Sequence, residues 1–176
     1  MQQVYKILRI LFFIVCTISY SQAEELKIFY VDIDKIMKES NVGKKVNKNL
    51  DSLIKKKSKE FRKIEEDLKK KDEDLVKQKN ILSKDELSKK LKSLETDIKN
   101  YRVKKNEFNK SVTQKKLAAT SEMVTYLNKI LGKYATENSA SLIIQKKNIV
   151  IGKTEMDITK PILEIFNKEV KDVKLK

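Results

Sequence analysis

The side chains that carry most enzyme chemistry are scarce in this sequence. It contains no His, a single Cys (Cys16) and three Gly. Acid–base and nucleophilic catalysis usually depend on His or Cys, and a phosphate-binding loop needs clustered Gly, so the sequence predicts neither. The His and Cys ligands of a zinc site are lacking as well. We therefore expect no catalytic residue, no metal and no cofactor.

One pair of acidic residues could bind a cation weakly. Asp32 and Asp34 alternate at the end of a β-rich run, and on a strand they would share one face. Asp is also a preferred residue at the start of a helix, where its carboxylate accepts from free backbone N–H groups. We interpret the pair as a capped strand end that leads into a helix.

Basic residues are the main chemical feature of the chain. It holds 40 Lys and Arg against 25 Asp and Glu, a net charge of +15. Residues 44–137 alone hold 27 basic and 15 acidic residues, a balance of +12. The remainder after residue 23 holds 11 and 10. The positive field therefore belongs to one segment.

That segment has the pattern of long helices. No Gly lies between Gly43 and Gly132, and the only Pro is Pro161. Apolar residues recur at coiled-coil spacing in two series, Leu50, Ile54, Phe61, Ile64, Leu68, Leu75 and Leu82, then Leu87, Leu91, Leu94, Ile98, Tyr101, Phe108, Val112 and Ala119. Ser83 and Glu86 between them fit a capping box, which marks a helix start. We expect an antiparallel hairpin arm over residues 44–137 with its tip near 82–85; one unbroken helix is the alternative.

The seam between the two helices is poorly filled. Lys occupies positions where a tight coiled coil needs Leu or Ile, namely Lys57, Lys71, Lys105 and Lys115. The seam aromatics Phe61, Tyr101 and Phe108 fit ordinary coiled-coil packing, which we favour, but they could also bind side chains of another polypeptide. These seven residues are the candidates for contact with a bound polypeptide.

Both ends of the chain carry strand-like runs. Residues 27–33 predict a strand, and a short helical turn should follow over residues 34–39. Residues 141–144 and 149–151 predict two strands joined by a hairpin loop over residues 145–148. Asp157 or Thr159 could cap a last helix, with Pro161 in its first turn. The fold class is α+β and mostly α: a long helical hairpin projects from a small β-containing head, residues 24–43 and 138–176.

The first 23 residues look like a signal peptide. Lys6 and Arg9 precede a short apolar run, and a small-x-small site ends at Ala23, so cleavage before Glu24 is expected. The apolar run is too short for a bilayer span, which needs about 20 residues. An uncleaved anchor and a lipoprotein held through Cys16 are the alternatives. The expected product is a soluble periplasmic protein.

These features favour a holding function. A head of about 50 residues buries little apolar area, so we expect an oligomer that shares one core. Several basic, flexible arms could then hold acidic, partly unfolded chains by many weak contacts without ATP. A structural or tethering envelope coiled coil is the alternative. An anionic membrane surface or lipid is a further partner to consider, and specific nucleic acid is not expected because Arg is rare.

The order of segments resembles the Skp (OmpH) family of periplasmic chaperones. The resemblance is sharpest at the ends, in YVDIDKIMKES near the start and in SLIIQKKNIVIG and DITKPILEIFNKEV near the end. It implies a homotrimeric β head with three helical tentacles that hold unfolded outer-membrane β-barrel proteins. It also implies that Val31, Ile143 and Val150 lie in strands of the head. The hairpin matches only in its Lys-rich character.

Overall fold

The computed structural model describes residues 26–175. The chain is mostly helical, with elements in the order β1 (Ile28–Val31), α1 (Ile33–Glu39), α2 (Asn41–Gln78), α3 (Lys84–Glu137), β2 (Leu142–Gln145) and α4 (Thr159–Glu169), and with single 3₁₀ turns at Lys146–Asn148 and Thr154–Met156. The predicted α+β class is confirmed. The predicted signal peptide, its cleavage between Ala23 and Glu24, and Cys16 lie outside the described residues.

The long helices α2 and α3 form the predicted antiparallel hairpin. They contain 38 and 54 residues, which correspond to about 57 and 81 Å. The break predicted at Ser83 is confirmed as a full capping box: the Glu86 N–H donates to Ser83 Oγ at 3.3 Å, and the Ser83 N–H donates to Glu86 Oε2 at 3.1 Å. The alternative of one unbroken helix is therefore wrong.

The strands pair differently from the prediction. β1 and β2 form a parallel two-stranded sheet, with Ile28 opposite Leu142 and Val31 opposite Gln145. The predicted second strand, residues 149–151, is not a strand, because the 3₁₀ turn after β2 carries the chain away from the sheet. β1 is also shorter than predicted. It ends at Val31, and Asp32 caps α1 by accepting the Lys35 N–H at 2.8 Å.

Ser40 joins α1 directly to α2. Its N–H donates to the Ile36 carbonyl at 3.0 Å, and its buried Oγ accepts the Gly43 N–H at 3.1 Å. The two helices approach so closely here that a Cβ on Gly43 would lie 1.9 Å from the Met37 carbonyl oxygen. A Gly is therefore required at the position where the chain enters the hairpin.

One hydrophobic cluster, here called the base core, holds the strands, the short helices and the lower part of the hairpin together. Its buried members are Val31, Ile36, Val42, Val46, Leu50, Ala119, Met123, Leu127, Ile130, Ile158, Ile162, Phe166, Val170 and Val173. The base core includes side chains well beyond the limits expected for the head, up to Leu50 on α2 and Ala119 on α3. The ends of the hairpin are thereby fixed by tertiary packing.

Helix α4 closes the base core from one side. Its apolar face buries Ile162 and Phe166 completely. The segment before it is anchored to β1, because the Ile158 N–H donates to the Tyr30 carbonyl at 2.9 Å and the Asp32 N–H donates to Thr159 Oγ1 at 2.9 Å. Ile158 occupies the cap position without a side-chain bond, while Asp157 Oδ1 accepts the Thr159 N–H at 2.9 Å.

Candidate functional site

The hairpin above the base core, residues 51–118, is here called the outer arm. All of its residues are described, and its buried apolar side chains are Phe61, Leu75 and Leu94. Phe61 packs edge-on against Tyr101 and Phe108, with ring centroids 5.9 and 5.7 Å away. The coiled-coil interpretation of these three aromatics is confirmed: they form one cluster between α2 and α3. Phe61, only 7 % exposed, is largely covered.

Ion pairs fill the seam where large apolar residues are missing. Lys105 Nζ donates to Glu65 Oε1 at 3.0 Å, and the Tyr101 hydroxyl donates to the same oxygen. The Tyr101 hydrogen bond, followed by that from Lys105, lowers the pKa of Glu65. Hydrogen bonds to Tyr101 and then Glu65 raise the pKa of Lys105. Both groups therefore stay charged at neutral pH, and each helix supplies part of the cluster.

The other seam lysines differ in their surroundings. Lys71 crosses the hairpin to Asp97 at 2.6 Å, and Lys57 binds Glu60 of its own helix at 2.5 Å. The Lys57 hydrogen bond also lowers the pKa of Glu60. Lys115 is half-buried and makes no ion pair among residues 26–175. Three of the four predicted contact lysines are thus already paired, and two of them, Lys71 and Lys105, join the two helices of the hairpin.

The lysines on the outer faces carry the free positive charge. Lys55, Lys56, Lys59 and Lys63 are all exposed on α2, and none of them is in an ion pair within the described part of the chain. On α3 the same holds for Lys104 and Lys110. The sequence pattern did not indicate these lysines, but they are better placed than Lys57, Lys71 and Lys105 to attract an acidic chain.

An open cleft lies beside the aromatic cluster. It has a volume of about 490 Å³ and mixes apolar and charged side chains, with Ile54, Phe61, Phe108, Val112, Arg62, Glu65 and Lys105 among its lining residues. Further apolar side chains are exposed along the outer arm, including Leu91, Val103 and Leu117. The outer arm therefore offers scattered apolar contacts between charged residues.

At the sheet end, the three predicted head residues have different environments. Val31 is buried in β1, and Ile143 is half-buried in β2. Val150 lies in no strand and is 98 % exposed, as is its neighbour Ile151 at 91 %, so its expected strand position is not found in the single chain. Within residues 26–175, β1 is the only strand that pairs with β2, which leaves the other edge of β2 open.

A polar cluster at the same end was not predicted from the sequence. Lys146 Nζ donates to Asp157 Oδ2 at 2.7 Å and lies 5.7 Å from the centre of the Tyr30 ring. Burial tends to raise the pKa of Asp157, but hydrogen bonds from Lys146 and Thr159 outweigh it and hold this pKa below its usual value. The Tyr30 hydroxyl donates to the Lys153 carbonyl at 3.1 Å. The cluster holds residues 146–158 around β1.

Residues 26–175 contain no group of three His, Cys, Asp or Glu side chains placed to hold a metal ion. No helix within the same range combines the length and the apolar composition that a bilayer crossing needs.

The sequence matches the family described as "Outer membrane protein (OmpH-like)" over residues 27–166. This chain belongs to the OmpH-like family. No curated protein matches it. The fold is similar to the crystal structure of an OmpH-like protein from Caulobacter crescentus CB15 that is described as an outer membrane chaperone, with a TM-score of 0.77 and 18 % identity over 85 % of this chain and 88 % of that one. The OmpH-like match spans both strands and the whole hairpin.

Proposed function

We propose that this OmpH-like protein is an ATP-independent holding chaperone that captures unfolded outer-membrane β-barrel proteins in the periplasm. The observation that carries the proposal is the outer arm: a long, basic hairpin with three buried apolar side chains, exposed apolar residues and unpaired lysines. Family membership and the described role of the Caulobacter protein support it. A tethering coiled coil would need a better-filled seam.

The proposed mechanism is capture by many weak contacts. The balance of +12 in residues 44–137 attracts acidic segments over a distance, and this speeds encounter at low salt. Scattered apolar residues such as Leu91, Val103 and Leu117 then contact the alternating apolar positions of an unfolded β-strand. Since no single contact is strong, affinity comes from their number. Such a surface needs no cofactor and releases a chain without hydrolysis.

The working form is proposed to be a homotrimer. Val150 and Ile151 are almost fully exposed, Leu142 is partly exposed, and β2 has an open edge. Apolar residues beside an open strand edge favour pairing with another chain. Further copies of this chain would complete the sheet of the proposed head, residues 24–43 and 138–176, and bring the arms, residues 44–137, around one space. The signal peptide, residues 1–23, would direct the chain to the periplasm.

The test uses the protein without residues 1–23 and a urea-denatured outer-membrane β-barrel protein diluted into buffer. We expect light scattering from the diluted client to be suppressed at low salt and less so at high salt. A variant with Lys55, Lys56, Lys59, Lys63, Lys104 and Lys110 changed to Gln should capture the client roughly tenfold more slowly.

The matched control changes six exposed lysines outside the arm to Gln, Lys35, Lys38, Lys147, Lys153, Lys160 and Lys168, and should behave like the unaltered protein. Equal losses in both variants would mean that net charge alone matters. No protection by the unaltered protein at low salt would overturn the proposed function, and a stable monomer by sedimentation would overturn the trimer.

A further inference from the structure

The open cleft beside the aromatic cluster keeps part of its apolar wall accessible to solvent. Ile54 on α2 is 38 % exposed, and Phe108 and Val112 on α3 are half-buried, although Phe61 between the helices is covered. The cleft volume of about 490 Å³ lies in the range of ligand-binding clefts. Closure of the hairpin therefore leaves an unfilled apolar surface at this level of the outer arm.

Arg62 is the free cation of this cleft. It is exposed and makes no ion pair within residues 26–175. The other lining cation, Lys105, is bound at 3.0 Å to Glu65, which is the only acidic residue that lines the cleft. The guanidinium of Arg62 therefore has no carboxylate of its own. Its planar fork can donate to both oxygens of a carboxylate, whereas the ammonium group of Lys acts as a point charge.

Polar side chains at the rim of the cleft fit a polypeptide backbone. Ser58, Asn109 and Thr113 line the cleft and are exposed. Hydroxyl and carboxamide groups both donate and accept hydrogen bonds, and each residue of an extended chain, Pro excepted, brings one N–H and one C=O group. The rim therefore favours a polypeptide over a compact small molecule.

We propose that the cleft binds an aromatic side chain of a client polypeptide together with the carboxylate of a neighbouring acidic residue; this inference rests on the proposed holding function. The aromatic ring packs against Ile54, Val112 and the ring of Phe108, because aromatic rings favour offset or edge-on contacts with each other. The carboxylate accepts hydrogen bonds from Arg62. Among the many weak contacts of the outer arm, this one selects acidic–aromatic segments of a client.

The proposal is tested with the protein without residues 1–23 and two short peptides blocked at both ends. One peptide carries a Trp followed by an Asp, and the other carries the same Trp followed by an Asn. Because the protein contains no Trp, the fluorescence of the peptide reports the surroundings of its own Trp. We expect a saturable blue shift with the Trp–Asp peptide, weaker binding at high salt, and about tenfold weaker binding of the Trp–Asn peptide.

Two matched pairs of variants locate the site. R62Q should bind the Trp–Asp peptide about tenfold more weakly and the Trp–Asn peptide as before, while R102Q, at an exposed Arg outside the cleft, should change neither. I54S should weaken the binding of both peptides about fivefold. Its control, I64S, alters a residue that is 37 % exposed and does not line the cleft, and it should bind as the unaltered protein does.

Equal effects of R62Q and R102Q would overturn the proposal, as would equal affinity for the two peptides. Free indole acetate that binds as tightly as the Trp–Asp peptide would show that the cleft is a small-molecule site and that the polypeptide assignment is wrong. If the unaltered protein protects a denatured β-barrel protein but binds neither peptide, the cleft assignment fails and the holding function stands. If it binds the peptides as expected but gives no protection, the proposed function fails and the cleft still selects acidic–aromatic peptides.

Discussion

The base core and the outer arm contrast strongly in how their side chains are buried. The base core gathers fourteen buried apolar residues from β1, all four helices and the C-terminal segment. The outer arm, with all of residues 51–118 described, has three, spread along its length. Helices as long as α2 and α3 are normally stabilised by packing of one face. The hairpin is therefore held by many buried apolar contacts at its base and by few along the outer arm.

The two regions also use charge differently. At the sheet end, Lys146 and Asp157 fasten a loop around β1. In the outer arm, Glu65 and Asp97 bind Lys105 and Lys71 across a seam that lacks apolar residues. These arm pairs are exposed to solvent and contribute little to stability. They align the two helices while leaving the surface able to change its contacts, which is the property that a holding surface needs.

The largest expected effect is in the base core. Phe166 is fully buried, so Phe166→Ala should lower the free energy of unfolding by about 3–5 kcal/mol. Urea denaturation followed by circular dichroism measures this change. The control Leu117→Ala, at an exposed position, should change the free energy of unfolding by less than about 0.5 kcal/mol. Similar values for the two variants would contradict the assignment of the base core.

A smaller and local effect is expected in the outer arm. Phe61→Ala removes the centre of the aromatic cluster, and its cost should fall below the ~3–5 kcal/mol typical of a buried Phe, because the open cleft beside it is already accessible to water. Hydrogen exchange should show faster opening near residues 57–112, with unchanged protection in α4. Loss of protection in both regions would show that the outer arm and the base core unfold together.

The smallest effect concerns the charge of Glu65. Its pKa is lowered in the folded hairpin, so its contribution to stability is present above the unfolded value of about 4.3 and is lost as pH falls through the lower folded value. Glu65→Gln should reduce the melting temperature slightly at pH 6, and the difference from the unaltered protein should shrink as the pH falls below about 4.3. A difference that does not change with pH would contradict this role.

Features that depend on local sequence were predictable. The apolar spacing gave the hairpin, and the Ser83–Glu86 box placed its turn. The strand pairing was missed because β2 pairs with β1 across more than a hundred residues, whereas residues 149–151 looked like a nearby partner. The seam partners were missed for a similar reason: Glu65 and Lys105 meet only once the register of the hairpin is known.

The central claim is that the outer arm, which has few buried contacts, is the surface that holds an unfolded chain. Hydrogen exchange with mass spectrometry tests this claim most directly. The protein without residues 1–23 is measured alone and with a denatured outer-membrane β-barrel protein. The account predicts fast exchange in residues 51–118 of the free protein, slow exchange in the base core, and a gain of protection on client binding confined to residues 51–118. Client-induced protection in the base core, with none in the outer arm, would contradict it.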